Sequence, residues 1–143
     1  MWEEFRLPYI FERMQNFSIP VGDEILIESY DGKHLVRLLP KPTVTDYEED
    51  HWEPGWDRFE MLGIDGGGEP ILINGLEQRL SLDPAREVLD VVRVDGRVVQ
   101  RIEFSDMSGD WGIATYSFDG KWLVIGVPYD LFVYRWCGGP LAD

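Results

Sequence analysis

The chain has 143 residues, with 27 Asp and Glu against 13 Lys and Arg for a formal net charge of −14, and 44% of its residues are hydrophobic, six of them Trp. That size suits a single domain, 1–143, with a core of its own, and the apolar content is too high for a disordered acidic segment. The charge repels phosphate backbones and anionic lipid surfaces, so it argues against direct nucleic-acid or membrane-surface binding and favours a basic protein partner.

From the N-terminus, residues 9–16 read as a short helix, with a strand as the alternative. Phe5, Tyr9, Ile10, Met14 and Phe17 keep neither period cleanly, and Pro8 argues against a long helix. Three Asp-Gly pairs, at Asp31-Gly32, Asp95-Gly96 and Asp119-Gly120, each lie between apolar-rich runs. This is the strongest short-range hairpin signal, because a type I′ turn needs φ > 0 at both central residues. In the first hairpin, 23–40, a turn at Asp31-Gly32 sets Ser29 opposite His34, Ile27 opposite Val36 and Ile25 opposite Leu38. One face then gathers Ile25, Ile27, Val36 and Leu38, and the other Glu28, Tyr30, Lys33 and Arg37.

Further on, 58–64 and 70–74 are short strand candidates joined by Asp65-Gly66-Gly67-Gly68-Glu69, and 76–82 is another. Pro84-Ala85-Arg86 after Asp83 suits a single helical turn. The second hairpin, 86–104, sets Val92 opposite Val99, Asp90 opposite Arg101 and Leu89 opposite Ile102. The third, 111–128, has Tyr116, Phe118, Leu123, Ile125 and Val127 on one face and Ile113, Thr115, Trp122 and Val124 on the other. Apolar residues on both faces predict a hairpin covered on two sides, with 129–136 as a strand beside it. The expected fold is mainly β, a β-rich α+β arrangement. Seven or eight strands form a curved, hairpin-built antiparallel sheet or a partly open barrel, with a short N-terminal helix.

Charge is not spread evenly. Residues 46–69 hold nine acids and one base, Arg58, which accounts for −8 of the chain's −14. Within this stretch Asp46, Glu48, Glu49, Asp50, Glu53 and Asp57 surround Trp52 and Trp56. Carboxylates steer a basic partner while Trp supplies buried contact area, so these eight residues form the candidate partner-binding site. A solvated loop with both Trp packed into the core is the plainer alternative.

Other chemistries lack support. The Asp46, Glu48, Asp50 spacing is not followed by the glycine and distal Glu of an EF-hand, His51 has no second His nearby, and His34 falls in the first hairpin, so no metal is expected. Nucleophilic catalysis needs an activated Ser or Cys near a His, and Cys137 has no local partner. The glycine run 66–68 is followed by no Lys-Ser or Lys-Thr and is flanked by two acids, so it reads as a turn and not as a phosphate cradle. Trp111, Trp122 and Trp136 with Tyr116, Phe118, Phe132 and Tyr134 have the composition of a sugar-stacking face, but strand aromatics are more often core. No catalytic residue and no cofactor is expected.

A single Cys excludes an intrachain disulfide, Met1-Trp2-Glu3-Glu4 lacks a basic leader region, and no apolar run reaches about 20 residues, so the expected location is cytoplasmic.

Residues 59–73, Phe-Glu-Met-Leu-Gly-Ile-Asp-Gly-Gly-Gly-Glu-Pro-Ile-Leu-Ile, resemble a segment of the SUKH superfamily of bacterial immunity proteins, in which a strand, a glycine-rich acidic turn and a second strand follow one another. The resemblance implies an intracellular protein that neutralises a toxin by binding it, and carries over no functional residue. Together with the charge it gives the expected function: a non-enzymatic immunity protein or inhibitor that occludes a basic toxin or nucleic-acid-handling enzyme. The rivals are a small enzyme with a carboxylate pair in a sheet cleft, or a β module for a sugar or other small ligand.

Overall fold

Every regular element among the described residues is a β-strand. The computed structural model describes residues 1–8, 13–30, 32–47, 58–105 and 111–138. The strands are β1 (Trp2–Glu4), β2 (Met14–Ser18), β3 (Glu24–Ser29), β4 (Gly32–Arg37), β5 (Thr43–Tyr47) and β6 (Met61–Gly63), followed by β7 (Gln78–Asp83), β8 (Val88–Arg93), β9 (Val98–Glu103), β10 (Ile113–Tyr116), β11 (Trp122–Val127) and β12 (Asp130–Trp136). They pair as three antiparallel sheets in the orders β1-β12-β11-β10, β5-β4-β3-β2-β6 and β7-β8-β9.

The four-stranded sheet is the middle of three layers. On one face Trp122, Val124, Leu131 and Val133 pack against Met14, Phe17, Ile25, Ile27, Val36 and Leu38 of the five-stranded sheet. On the other, Ala114, Tyr116, Leu123, Ile125 and Val127 pack against Leu80, Leu89, Val91 and Ile102 of the three-stranded sheet. The two-faced apolar pattern of the third hairpin has this consequence: all six residues of β11 are buried, and β12 lies beside it. Gly126 belongs to this packing, since a Cβ there would overlap the Phe17 ring. A barrel encloses one interior, whereas the middle sheet needs cover on both faces, so the sheets stack and do not close.

Amide side chains tie the middle and three-stranded layers together. Trp2 N–H donates to Gln100 Oε1 (2.8 Å) while Gln100 Nε2 donates to the Trp2 carbonyl (2.7 Å), so one side chain of β9 satisfies both backbone groups of a β1 residue. Trp2 Nε1 donates to Gln78 Oε1 at 3.2 Å.

Hairpin registers are met to different degrees. In the third, Tyr116 pairs with Leu123 and Thr115 with Val124, the register that a two-residue Asp119-Gly120 turn dictates. In the second, Asp90 faces Arg101 and Leu89 faces Ile102, but a bulge after Val91 moves Val92 opposite Val98 instead of Val99. In the first, Ser29 pairs with Gly32 and Ile27 with His34, so the partner strand is displaced by two residues from the expected register. A two-residue displacement keeps every side chain on its face, and Ile25, Ile27, Val36 and Leu38 still reach one core.

Other expectations are corrected. Met14, Gln15 and Asn16 lie in β2 and not in a helix, because Met14–Ser18 is paired by β3 on one side and β6 on the other. Arg13 also departs from the helix, with φ 48°, and residues 9–12 lie outside the described residues. Residues 70–74 make one isolated bridge, Ile73 to Arg79, and no strand. Residues 84–87 are the hairpin turn between β7 and β8: Asp83 Oδ1 accepts from Arg86 N–H as a helix cap would, but Glu87 takes φ 57° and no helix follows. Twelve strands are described where seven or eight were expected. No helix among the described residues is long and apolar enough to cross a membrane.

Candidate functional site

Of the eight candidate partner-binding residues, Asp46 is described; Glu48, Glu49, Asp50, Trp52, Glu53, Trp56 and Asp57 lie outside the described residues. Asp46 sits on β5, an edge of the five-stranded sheet, directly opposite His34 of β4. The run of acids therefore leaves one edge of this sheet at β5 and returns at its other edge at β6. Near the return, Arg58 bonds Glu24 (2.7 Å) and its guanidinium lies over the Phe59 ring (4.4 Å), while Phe59 covers Leu26 and Leu35 on the sheet's outward face.

Asp46 is held from behind. Its Oδ1 meets His34 Nδ1 at 2.5 Å, and His34 Nε2 meets Ser29 Oγ at 2.9 Å. With Nδ1–H donated to the carboxylate, Nε2 is left to accept the Ser29 hydroxyl proton. Sequence reasoning placed Ser29 near His34 but missed Asp46 as the third member, because β5 was not expected; the β-branched Thr43-Val44-Thr45 was the available signal.

Asp, His and Ser in this connectivity match a nucleophilic triad, but their exposure runs the wrong way. The Asp46 side chain is 79% exposed and that of His34 13%, while Ser29 is buried at 7%. A scissile carbonyl must reach the hydroxyl, which here is the covered end. The arrangement instead ties β3, β4 and β5 together and fixes the direction of an exposed carboxylate.

The remaining described acids of the run, Glu60, Asp65 and Glu69, are exposed. Asn16 Oδ1 accepts from the N–H groups of Asp65 and Gly66, both at 3.0 Å, and anchors the glycine turn to β2. Some acids elsewhere are matched: Asp90 with Arg101 (2.8 Å), Asp95 with Arg93 (3.5 Å) and Glu24 with both Arg37 and Arg58. The aromatics considered for sugar stacking are largely core: Tyr116 is fully buried, and Trp122 and Tyr134 are nearly so. Among the described residues no three His, Cys, Asp or Glu side chains converge as a metal-ligand set. No family model, no curated protein and no solved structure matches the chain.

Proposed function

We propose that the protein is a cytoplasmic, non-enzymatic binding protein of the immunity or inhibitor kind, which occludes a basic toxin or nucleic-acid-handling enzyme with the carboxylates of 46–69. The observation that carries this reading is the contrast in charge pairing. Asp46 is presented outward, bonded to His34, and Glu60, Asp65 and Glu69 have no Lys or Arg partner among the described residues, while the three-stranded sheet, residues 78–103, balances five acids with five bases and pairs Asp83, Asp90 and Asp95 with Arg86, Arg101 and Arg93. Carboxylates not neutralised by the protein's own cations keep their full field for an approaching partner. The resemblance of 59–73 to a SUKH segment points the same way in its first strand and its glycine turn, which Asn16 anchors; its second strand is reduced to the bridge from Ile73 to Arg79.

The test is capture from the source lysate at low salt, with the wild type and a variant neutralised at Asp46, Glu48, Glu49, Asp50 and Glu53 as baits and mass spectrometry as readout. The expected result is a basic protein retained by the wild type alone and released as salt is raised. Equal retention by both baits, or none by either, overturns the reading.

A further inference from the structure

Where the chain leaves β1 it forms a cavity of about 480 Å³ against β12, a size within the range of small-molecule sites. Glu4, Arg6 and Asp130 supply its polar lining, and Phe5, Leu7 and Phe132 are among its apolar walls. The strand register explains why two carboxylates meet here. Glu4 is paired with Tyr134, and Tyr134, Phe132 and Asp130 alternate along β12, so Glu4 and Asp130 project from the same face of the sheet. Phe132, on the face of the two carboxylates, is braced by Phe104 (5.7 Å), while Phe5 turns to the opposite face and meets Trp122 edge-on (5.1 Å).

Asp130 is half-buried and short of compensation. Its Oδ1 accepts the Leu131 N–H at 2.8 Å, and Arg6 forms no ion pair with it or with Glu4 among the described residues. Desolvation pushes its carboxyl above the ordinary value against that hydrogen bond and the Arg6 charge, and Glu4 pushes it further. The Tyr134 phenol is pushed up to about 12 by burial and then by Glu4 and Asp130, so both carboxylates act on the same region. Arg6, Glu4 and Tyr134 are the charged and titratable groups acting with Asp130 at this cavity. A carboxylate whose burial is under-compensated gains most when a cation arrives.

We infer that this cavity binds a small organic cation, an ammonium or amidinium group on an apolar or aromatic body, with Glu4 and Asp130 taking the charge and Phe132, which projects from their face of the sheet, meeting the body. The site is separate from the acid-rich stretch and does not depend on it.

The probe is 2-phenylethylamine, with 3-phenylpropionate as the anion of similar shape, titrated by calorimetry into the full chain. The wild type is expected to bind the amine at least tenfold more tightly than the anion, and more tightly as pH rises through the ionisation of Asp130. Asp130→Asn and Glu4→Gln are each expected to weaken the amine at least tenfold, whereas Glu103→Gln, an exposed acid outside the cavity, leaves it unchanged. Asp130→Asn removes an under-compensated, half-buried charge, so its thermal midpoint is expected at or above that of the wild type, which separates lost binding from lost folding. Equal affinity for amine and anion, no binding of the amine by the wild type, or wild-type affinity in both cavity variants overturns the assignment.

Discussion

Asp90 faces Arg101 across β8 and β9 and takes two hydrogen bonds from its guanidinium, at 2.8 and 3.0 Å. These bonds hold its carboxyl below the ordinary value. A carboxylate depressed in the folded state contributes stability that is fully present above its unfolded pKa, near 3.9, and is lost as pH falls through the folded value. Asp130 works in the opposite sense. Its raised folded value means a cost absent below the ordinary value, building as pH rises through the folded value and complete above it. Asp90→Asn is expected to lower the thermal midpoint at neutral pH by no more than about 2 °C, the pair being surface-exposed, and to have no effect in strong acid. Melting curves at the two pH values decide it; an equal loss in acid would mean that Asp90 acts through packing and not through its charge.

At the scale of elements, β11 shows how closely the layers meet. Phe17 of β2 lies over Gly126, so Gly126→Ala forces the ring and the β2 backbone away. The expected loss is about 1–3 kcal/mol, read by urea unfolding, and Phe17→Leu in the same chain should recover part of it. This strand was legible in the sequence because its hairpin keeps the register centred on Asp119-Gly120 and because Trp122-Leu123-Val124-Ile125 is apolar on both faces, a pattern that requires two covering layers. The first hairpin was legible in its faces but not in its register. Gly32 enters β4 at φ 125°, opposite Ser29, instead of serving as the second turn residue, and the apolar pattern is blind to a two-residue displacement. Met14–Ser18 was not legible as a strand because its state is set by β3 and β6, and β6 lies more than forty residues away. The same reasoning covers both sites. Asp46 was visible as the start of an acid-rich run, but its contact with His34 needed the unanticipated β5. Glu4 and Asp130, near opposite ends of the chain, come together only through the pairing of β1 with β12.

Across the whole molecule, charge is divided by layer. Residues 1–69, which build the five-stranded sheet and β1, carry 16 acids against six bases, while 70–143 carry 11 against seven. The three-stranded sheet, residues 78–103, carries five acids and five bases and pairs Asp83 with Arg86, Asp90 with Arg101 and Asp95 with Arg93, so its field is largely cancelled. The five-stranded sheet matches Glu24 twice and Asp46 with His34, and leaves Glu60, Asp65 and Glu69 exposed with no Lys or Arg partner among the described residues. Folding gathers this unmatched charge into one layer, and the folded state bears the repulsion. Salt at physiological strength screens exposed charges beyond about 8 Å, which removes long-range repulsion while leaving close pairs such as Asp90 and Arg101 nearly intact. The thermal midpoint is therefore expected to rise by a few °C when sodium chloride is added to a low-salt buffer. A fall would mean that the surface pairs outweigh the repulsion. If the acid-rich layer is also the binding surface, the same salt that stabilises the free protein should slow its association with a basic partner. Opposite responses of stability and on-rate to one variable are a signature that a charge kept only for solubility would not produce.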